Sequence, residues 1–324
     1  MAAALTPEEL LPLVDALADG TWHSGEAMAE RAGLTRAALA KRVEKLAAWG
    51  LVVEARQGLG YRLGAPLERL DARALRAAVP ALKRVDVLPV TDSTNQRLLD
   101  ADAAQDPQAL FAEFQSAGRG RRRRGWVSPF GANLYLSLAW SFPHWPADLT
   151  ALPLAVGAAC ARALREAGVP GVGLKWPNDL LADGRKLGGI LIEQRGEAGG
   201  ACRAVIGLGL NFAMQDEQAA GIEQAWTSVR ALCGANAPTR NALAARMLAA
   251  LLNAAARFSA QGFGAFADDW STFDLTRGQR VRIESDGRWQ DGVARGVDAS
   301  GALQLETAQG LQRVLAGDVS LRAA

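Results

Sequence analysis

Apolar residues recur every three or four positions through the first fifty residues, which is the period of amphipathic helices. The two clearest stripes consist of Leu10, Leu13, Val14 and Leu17 and of Leu39, Val43 and Leu46. Ser24 can cap a helix between these stripes and Thr35 can cap the last one, and two strand-like segments follow at 51–55 and 61–63. Three helices followed by a β-hairpin predict a winged helix-turn-helix over residues 1–66.

Residues 67–273 alternate strand-like and helix-like segments. The strand-like segments are Arg84–Val90, Asn133–Trp140, Gly173–Trp176, Leu187–Ile192 and Val205–Leu210, and the helical ones are Leu152–Glu166 and Asn241–Phe258. After Thr276 the pattern changes to short strands separated by turns. The sequence therefore predicts an α+β protein, with a central mixed-sheet α/β domain at 67–273 and a small C-terminal β-barrel at 274–324 that is stable only when docked on its neighbour.

The composition excludes several kinds of chemistry. The chain has 324 residues but only three Cys and two His, too few for a disulfide scaffold or a Cys/His metal cluster. Its 36 Lys and Arg nearly balance 34 Asp and Glu, so any nucleic-acid binding must be local. Only five of these cations are Lys, which suggests that a Lys stands where its ammonium group is needed.

The N-terminal segment, the apolar stretches and the cysteines predict a cytoplasmic protein with no membrane contact. The first twenty residues lack the basic region of a signal peptide. The longest apolar stretch, 151–161, is shorter than the roughly 20 residues that cross a bilayer. Unpaired cysteines agree with a reducing compartment.

The third predicted helix carries cations on the side opposite its apolar stripe. Lys41 and Lys45 lie on that side, Arg36 and Arg42 flank them, and Thr35 caps the helix. Such a helix can enter a major groove of DNA, although an ordinary solvated helix face gives the same pattern. The helix-turn-helix architecture, rather than net charge, favours DNA binding.

An arginine-rich loop runs from Gly118 to Trp126. Its glycines let the backbone approach a ligand, and guanidinium groups bind carboxylate and phosphate in a bidentate way. A basic nucleic-acid patch or an exposed loop is the alternative interpretation. No Gly-Lys-Ser/Thr follows, so the loop is not a P-loop.

Two of the scarce lysines lie eleven residues apart, in Lys175-Trp176-Pro177-Asn178-Asp179 and in Arg185-Lys186-Leu187-Gly188-Gly189-Ile190. A hairpin would bring both ammonium groups to one cleft, as phosphoryl chemistry requires. Asp179 can then bind Mg²⁺ or accept a proton. The alternative is a β-turn with solvent-facing charges.

Small polar residues form a further candidate site. Ser93, Thr94 and Asn95 follow a predicted strand, where they can cap a helix or bind a neutral ligand such as a urea or amide. Gln115 and Asn211 are weaker candidates of the same kind.

These segments, in this order, resemble the bacterial biotin–protein ligases of the bifunctional type, which also repress biotin synthesis genes. The resemblance spans the whole chain and rests on the following segments: His23–Glu26, Asp92–Gln96, Gly118–Trp126, Ser128–Ser137, Lys175–Leu180 and Arg185–Ile190. It implies a class II synthetase-like central domain and an SH3-like C-terminal barrel.

The resemblance also implies a two-step reaction. Biotin and Mg·ATP give biotinyl-5′-AMP and pyrophosphate, and the adenylate then acylates a lysine of the biotin carboxyl carrier protein of acetyl-CoA carboxylase. The ligand-bound protein is expected to form a homodimer that binds operator DNA. A biotin-sensing repressor without ligase activity and a lipoate-type ligase are the alternatives.

The resemblance carries roles to individual residues. The residues implied for biotin are Ser93, Thr94, Asn95, Gln115, Gly118, Arg119, Gly120, Arg121, Lys186 and Gly188. The residues implied for ATP or the adenylate are Arg121, Trp126, Lys175, Asn178, Asn211 and Arg322, and the catalytic ones are Arg121, Lys186 and Asp179, with Asp179 also a candidate for Mg²⁺. One departure is Arg123, which stands where the family loop has a glycine.

Overall fold

The winged helix-turn-helix predicted for the N-terminal region is confirmed by the computed structural model, which describes residues 6–196, 200–285, 288–315 and 317–321. Its elements are α1 (Pro7–Leu17), α2 (Gly25–Arg31), α3 (Arg36–Leu46), β1 (Val53–Arg56) and β2 (Gly60–Leu63). Thr35 caps α3, since its hydroxyl accepts a hydrogen bond from the Ala38 N–H at 3.1 Å. The first strand begins two residues later than predicted because Leu51 N–H still bonds to Leu46 O in the turn that leaves the helix.

A seven-stranded mixed sheet forms the centre of the molecule. Its strands are β3 (Arg84–Thr91), β4 (Gln108–Gln115), β5 (Leu134–Phe142), β6 (Val172–Lys175), β7 (Asp179–Ala182), β8 (Arg185–Gly196) and β9 (Cys202–Leu210), in the order β3-β4-β5-β9-β8-β7-β6. Only β3 and β4 run parallel. Strand β4 was not predicted from the sequence, because its nearly uninterrupted burial removes the alternation that marks a half-exposed strand.

Helices cover the two faces of this sheet unequally. The helices of this region are α4 (Ala72–Ala78), α5 (Thr94–Asp100), α6 (Leu152–Glu166), α7 (Val229–Cys233), α8 (Arg240–Gln261) and α9 (Ala267–Phe273). The long α6 and α8 bury the main core on one face. Short α5 packs Leu98 and Leu99 on the other face and leaves the neighbouring strands uncovered. In the described part of the chain, no helix is long and apolar enough to cross a membrane.

The C-terminal region is a five-stranded antiparallel sheet. It comprises β10 (Arg280–Ser285), β11 (Arg288–Val297), β12 (Leu303–Thr307), β13 (Gly310–Val314) and β14 (Asp318–Leu321), in the order β13-β12-β11-β10-β14. Its inner residues Ile283 and Leu305 join the main core of the central domain. The indole N–H of Trp176 donates to Gly301 O at 3.1 Å, so the small barrel is docked against its neighbour.

The winged helix is also packed against the central domain. Trp49 and Phe130 stack with ring centroids 5.1 Å apart and an angle of 12° between their planes. Phe130 N–H donates to Trp49 O at 2.8 Å, and its ring is buried in the winged-helix core. Phe130 follows the arginine-rich loop by only four residues, so the two regions share one short segment.

A buried ion pair connects the first residues of the central domain to the sheet. Arg240 at the start of α8 and Glu113 on β4 are 2.6 Å apart, with each side chain only 1% exposed. Glu113 also accepts from Leu70 N–H at 2.7 Å, and Arg240 donates to Glu68 O and Asn133 O. This pair therefore joins the segment 68–70, β4 and α8.

We predict that Glu113→Gln lowers the free energy of unfolding by about 3 kcal/mol, because it leaves the buried Arg240 charge without a carboxylate. Denaturant unfolding followed by circular dichroism measures the change. Glu166→Gln is the matched control, since Glu166 forms an exposed pair with Arg246 and such pairs contribute less than about 1 kcal/mol. Equal effects of the two substitutions would contradict the prediction.

Candidate active site

A cleft of about 1060 Å³ lies over the sheet surface that α5 leaves uncovered. Of the residues to which the resemblance assigns a biotin, ATP or catalytic role, those that line it are Ser93, Thr94, Asn95, Gln115, Arg119, Gly120, Arg121, Trp126, Lys175, Asn178, Asp179, Lys186 and Asn211. Gly118 and Gly188 lie behind this lining, where a Cβ would stand 2.7 Å from Ser128 Oγ and 2.8 Å from Gly209 O. Arg322 falls outside the described residues.

Neutral polar side chains form one end of the cleft. Gln115 Oε1 accepts from Thr94 N–H at 2.9 Å and from the Thr94 hydroxyl at 3.2 Å. The fully buried Ser137 hydroxyl lies 2.7 Å from Thr94 Oγ1 and 2.6 Å from Asn95 Oδ1. Ser137 was not assigned a role from the sequence, because only the pairing of β5 beside α5 brings it to these residues. This end can hold an uncharged ligand group that both donates and accepts hydrogen bonds.

The turn before α5 fixes this polar end. Ser93 caps the helix by accepting from Gln96 N–H at 3.5 Å. It also lines the cleft, so the helix-cap interpretation does not exclude a place in the site. Burial tends to raise the pKa of the adjacent Asp92, but hydrogen bonds from the Ser93 N–H and the Thr91 hydroxyl outweigh it and lower that pKa. Asp92 is therefore an ionised acceptor that orders the turn.

Glycines on β8 and β9 form a flat floor for Trp126. A Cβ at Gly209 would stand 2.7 Å from two atoms of the Trp126 indole, and one at Gly189 would stand 3.4 Å from it. At Gly207 a Cβ would stand 2.9 Å from Asn95 Cγ. Trp126 thus lies on bare backbone, with its indole N–H buried and without a partner among the described residues.

Two ammonium groups meet on one carboxylate at the other end of the cleft. Lys186 Nζ is 2.8 Å from Asp179 Oδ1, and Lys175 Nζ is 3.3 Å from Asp179 Oδ2. Lys186 Nζ also lies 5.7 Å from the centre of the Trp126 ring. The hairpin that the lysine spacing predicts thus brings both ammonium groups to one cleft, and the cluster carries one net positive charge.

A bulge gives Lys186 this position. Asp179 pairs with Gly189, and the register then shifts between Leu180 and Leu181 so that Leu181 pairs with Lys186. Directly paired residues of antiparallel strands face the same side, and β-bulges redirect side chains in this way. The bulge therefore sends Lys186 into the cleft while Leu187 remains in the core.

Backbone contacts fix the surroundings of this cluster. Asn178 Nδ2 donates to Ile190 O at 2.9 Å, and Asn178 Oδ1 accepts from Arg121 at 3.3 Å. Asn211 Nδ2 donates to Lys186 O at 3.3 Å and to Thr227 O at 3.1 Å. Asn211 therefore holds the segment around Thr227 against β8, a positioning role that its sequence context did not indicate.

The arginine-rich loop is folded over the cleft. Gly120 N–H donates to Arg124 O at 2.7 Å, which closes the loop on itself. Arg121 donates to Gly317 O at 3.2 Å and Arg122 pairs with Glu284, so the C-terminal barrel holds the loop's outer part. Arg123 has a φ of 60°, a left-handed conformation that costs a non-glycine residue about 1–2 kcal/mol. The loop therefore retains a glycine-like backbone at the position where the family pattern has glycine.

The fit of a magnesium ion at Asp179 is poor. Both carboxylate oxygens are paired with ammonium groups, which a dication would have to displace. Among the described residues, no three Asp, Glu, His or Cys side chains cluster as metal ligands. The described residues around Asp179 therefore do not fit a resident magnesium ion.

The candidate DNA-binding residues lie outside this cleft, on α3. Lys41, Lys45, Arg36 and Thr35 are exposed, and the two lysines share one face of the helix. Arg42 differs from the expectation for a DNA contact, because its guanidinium donates to Glu9 Oε1 at 3.1 Å and to Glu9 O. This pair turns Arg42 toward α1.

The winged helix is typical of a DNA-binding protein. It is joined here to a cleft with a neutral polar end and a cationic end, which is typical of a ligand-binding enzyme. Sequence profiles agree with each part. The Biotin/lipoate A/B protein ligase family matches residues 87–211, the Biotin protein ligase C terminal domain matches 276–322, and an HTH domain matches 14–62.

Individual relatives match nearly the whole chain. The Bifunctional ligase/repressor BirA of Salmonella typhimurium is 40% identical over 315 residues, covering 97% of this chain and 98% of its own. That of Escherichia coli is 40% identical with 97% of both chains covered. The solved biotin protein ligase of Aquifex aeolicus in complex with biotin and ATP is 27% identical, with a TM-score of 0.63 over 75% of this chain and 100% of that one. The chain therefore belongs to the biotin–protein ligase family, as the sequence resemblance predicted.

The sequence resemblance places Trp126 on the ATP side of the cleft. We predict that Gly209→Ala raises the KM for ATP about tenfold or more, because the added methyl group displaces the Trp126 indole. Biotin-dependent exchange of pyrophosphate into ATP measures this constant. Gly264→Ala is the matched control, since a Cβ there meets nothing within 4 Å. An unchanged KM in Gly209→Ala would show that Trp126 does not need its glycine floor.

Proposed function

We propose that this protein is an ATP-dependent biotin–protein ligase whose winged helix also makes it a repressor. The observation that supports this most directly is that one cleft has two different ends. One end is neutral and forms hydrogen bonds, and at the other end Lys175 and Lys186 both pair with Asp179. Biotin has a neutral ureido ring at one end and a carboxylate at the other, so its polarity matches the cleft. Whole-chain similarity to the bifunctional ligase/repressors supports the same function.

The ureido ring belongs at the neutral end. The Ser137 hydroxyl lies within hydrogen-bonding distance of Thr94 and Asn95, and Gln115 accepts from Thr94, so these side chains are oriented before a ligand arrives. Such preorganisation lowers the entropic cost of binding. Arg119 and Gly120 close this end from the loop side.

The biotin carboxylate then lies near the ammonium groups, where it attacks the α-phosphate of ATP. A new C–O–P bond forms as the bond to pyrophosphate breaks, and negative charge accumulates on the departing group. Lys186, Lys175 and Arg121 stabilise that charge electrostatically. Trp126 offers the flat face of its indole to the nucleotide.

The second step is transfer to the carrier protein. The ε-amine of a lysine on a biotin carboxyl carrier protein attacks the acyl carbon of biotinyl-5′-AMP, an amide forms and AMP leaves. The folded loop keeps the mixed anhydride away from water until then. Mg²⁺ enters with ATP as part of the substrate, in keeping with the poor fit of a resident ion at Asp179.

Repression completes the proposal. Lys41, Lys45 and Arg36 on α3 face the DNA, and a ligand-bound homodimer places two such helices on a palindromic operator. The use of ATP and the three free cysteines suit a cytoplasmic location. Burial raises the pKa of the Cys160 thiol to about 12, so this cysteine stays protonated.

The direct test incubates the purified chain with biotin, ATP, Mg²⁺ and a biotin carboxyl carrier domain. Mass spectrometry should show a mass increase of one biotinyl group on the carrier. Absence of this product would leave a biotin-sensing repressor without ligase activity. Excess lipoate should not compete, and competition by lipoate would favour a lipoate-type ligase.

We predict that Lys186→Ala raises the adenylation barrier by about 2–4 kcal/mol, because the reacting phosphate loses an ammonium group. Single-turnover formation of biotinyl-5′-AMP measures the rate. Lys83→Ala is the matched control, since Lys83 contacts Ala104 O far from the cleft. If the two variants form the adenylate equally fast, the role assigned to Lys186 is wrong.

We predict that Lys41→Ala weakens operator binding about tenfold and leaves ligation unchanged, because a phosphate or base contact is lost. Fluorescence anisotropy with operator DNA, in the presence of biotin and ATP, measures this at several salt concentrations. Arg76→Ala removes an exposed cation from α4 and serves as the control. Unchanged DNA affinity in Lys41→Ala would exclude α3 as the recognition helix.

A further inference from the structure

Glu193 lies on β8 between the arginine-rich loop and α5, and sequence analysis assigned it no role. One oxygen of its carboxylate, Oε2, accepts from Arg119 at 2.9 Å and from Asn95 Nδ2 at 2.9 Å. Arg119 belongs to the loop and Asn95 to the neutral end of the cleft. A single carboxylate oxygen therefore connects the arginine-rich loop to the neutral end of the cleft.

The contact with Glu193 holds the base of the loop. The second terminal nitrogen of Arg119 donates to Gln96 Oε1 at 3.1 Å, so its guanidinium is held between α5 and β8. Gln96 is itself held by Asp100, which accepts from its Nε2 at 2.7 Å. Charge-assisted hydrogen bonds of this kind are about twice as strong as neutral ones. Loss of the carboxylate charge would therefore release the loop at Arg119.

The same oxygen fixes the orientation of the Asn95 amide. Nδ2 faces Glu193 and Leu191 O, which leaves Oδ1 facing the Ser137 hydroxyl. A flipped amide would place its carbonyl oxygen against the Glu193 carboxylate. Glu193 thus determines where the neutral end of the cleft presents an acceptor and where it presents a donor.

The geometry points to Glu193 as a positioning residue that couples closure of the arginine-rich loop to the orientation of the biotin-binding amide. This inference rests on the proposed function, since it assigns biotin to the neutral end. Glu193 acts through Arg119 and Asn95 rather than by touching the ligand. An isolated exposed ion pair would contribute little, but here both partners line the cleft and one oxygen serves both.

The test compares Glu193→Gln and Glu193→Asp with the wild-type protein. Glu306→Gln is the matched control, because Glu306 also lies on a strand and pairs with an arginine, Arg295, in the barrel. Biotin Kd is measured by calorimetry. Trypsin cleavage within the arginine run at 121–124 is timed in the ligand-free protein, since only an opened loop can enter the protease.

Glu193→Gln should raise the biotin Kd about tenfold and speed cleavage of the loop severalfold. The unfolding midpoint should stay within one degree of wild type. Glu193→Asp, which keeps the charge, should restore part of the biotin affinity. Glu306→Gln should change neither measurement.

A biotin Kd within twofold of wild type, together with an unchanged cleavage rate, would overturn the inference. So would a fall in unfolding midpoint that accounts for both effects, since Glu193 would then be only structural. If the wild-type protein fails to bind biotin, the proposed function fails instead. Cleavage of the ligand-free proteins still tests the Glu193–Arg119 contact in that case.

Discussion

The contact on which the site depends is the carboxylate of Asp179 between the ammonium groups of Lys175 and Lys186. Two like charges repel each other when they are brought together in a partly buried cleft, and the carboxylate offsets that repulsion. Pairing of β6 with β7 places Lys175 beside Asp179, and the bulge between β7 and β8 adds Lys186. The result is a fixed cationic cluster, ready for an anion that gains charge during reaction.

The rest of the cleft follows from the need to present this cluster to a long ligand. Bare glycine backbone on β8 and β9 leaves room for Trp126, and Lys186 lies over its ring. Short α5 leaves that surface open and contributes Thr94 and Asn95 at the far end. The arginine-rich loop spans both ends, with Arg119 held by Glu193 and Arg122 held by Glu284 of the barrel. The barrel is therefore part of the closed site as well as a docked domain.

Periodicity and capping residues were sufficient to predict the winged helix, the long helices and most strands, because those elements follow local rules. The rarity of lysine also led to Lys175 and Lys186 before any contact was known. Contacts between distant segments were not predictable. The bulge before Lys186, the buried Ser137 and the shared oxygen of Glu193 arise only when β5, β8 and α5 are assembled. The orientation of Arg42 was missed for the same reason, since Glu9 lies on another helix.

The central claim is that this cleft joins biotin to AMP and retains the product. Its most direct measurement is to mix the protein with biotin, ATP and Mg²⁺ without a carrier domain, remove unbound ligands rapidly, and analyse the bound material by mass spectrometry. We expect close to one biotinyl-5′-AMP per chain, together with released pyrophosphate. Bound biotin and intact ATP, with no adenylate formed, would contradict it.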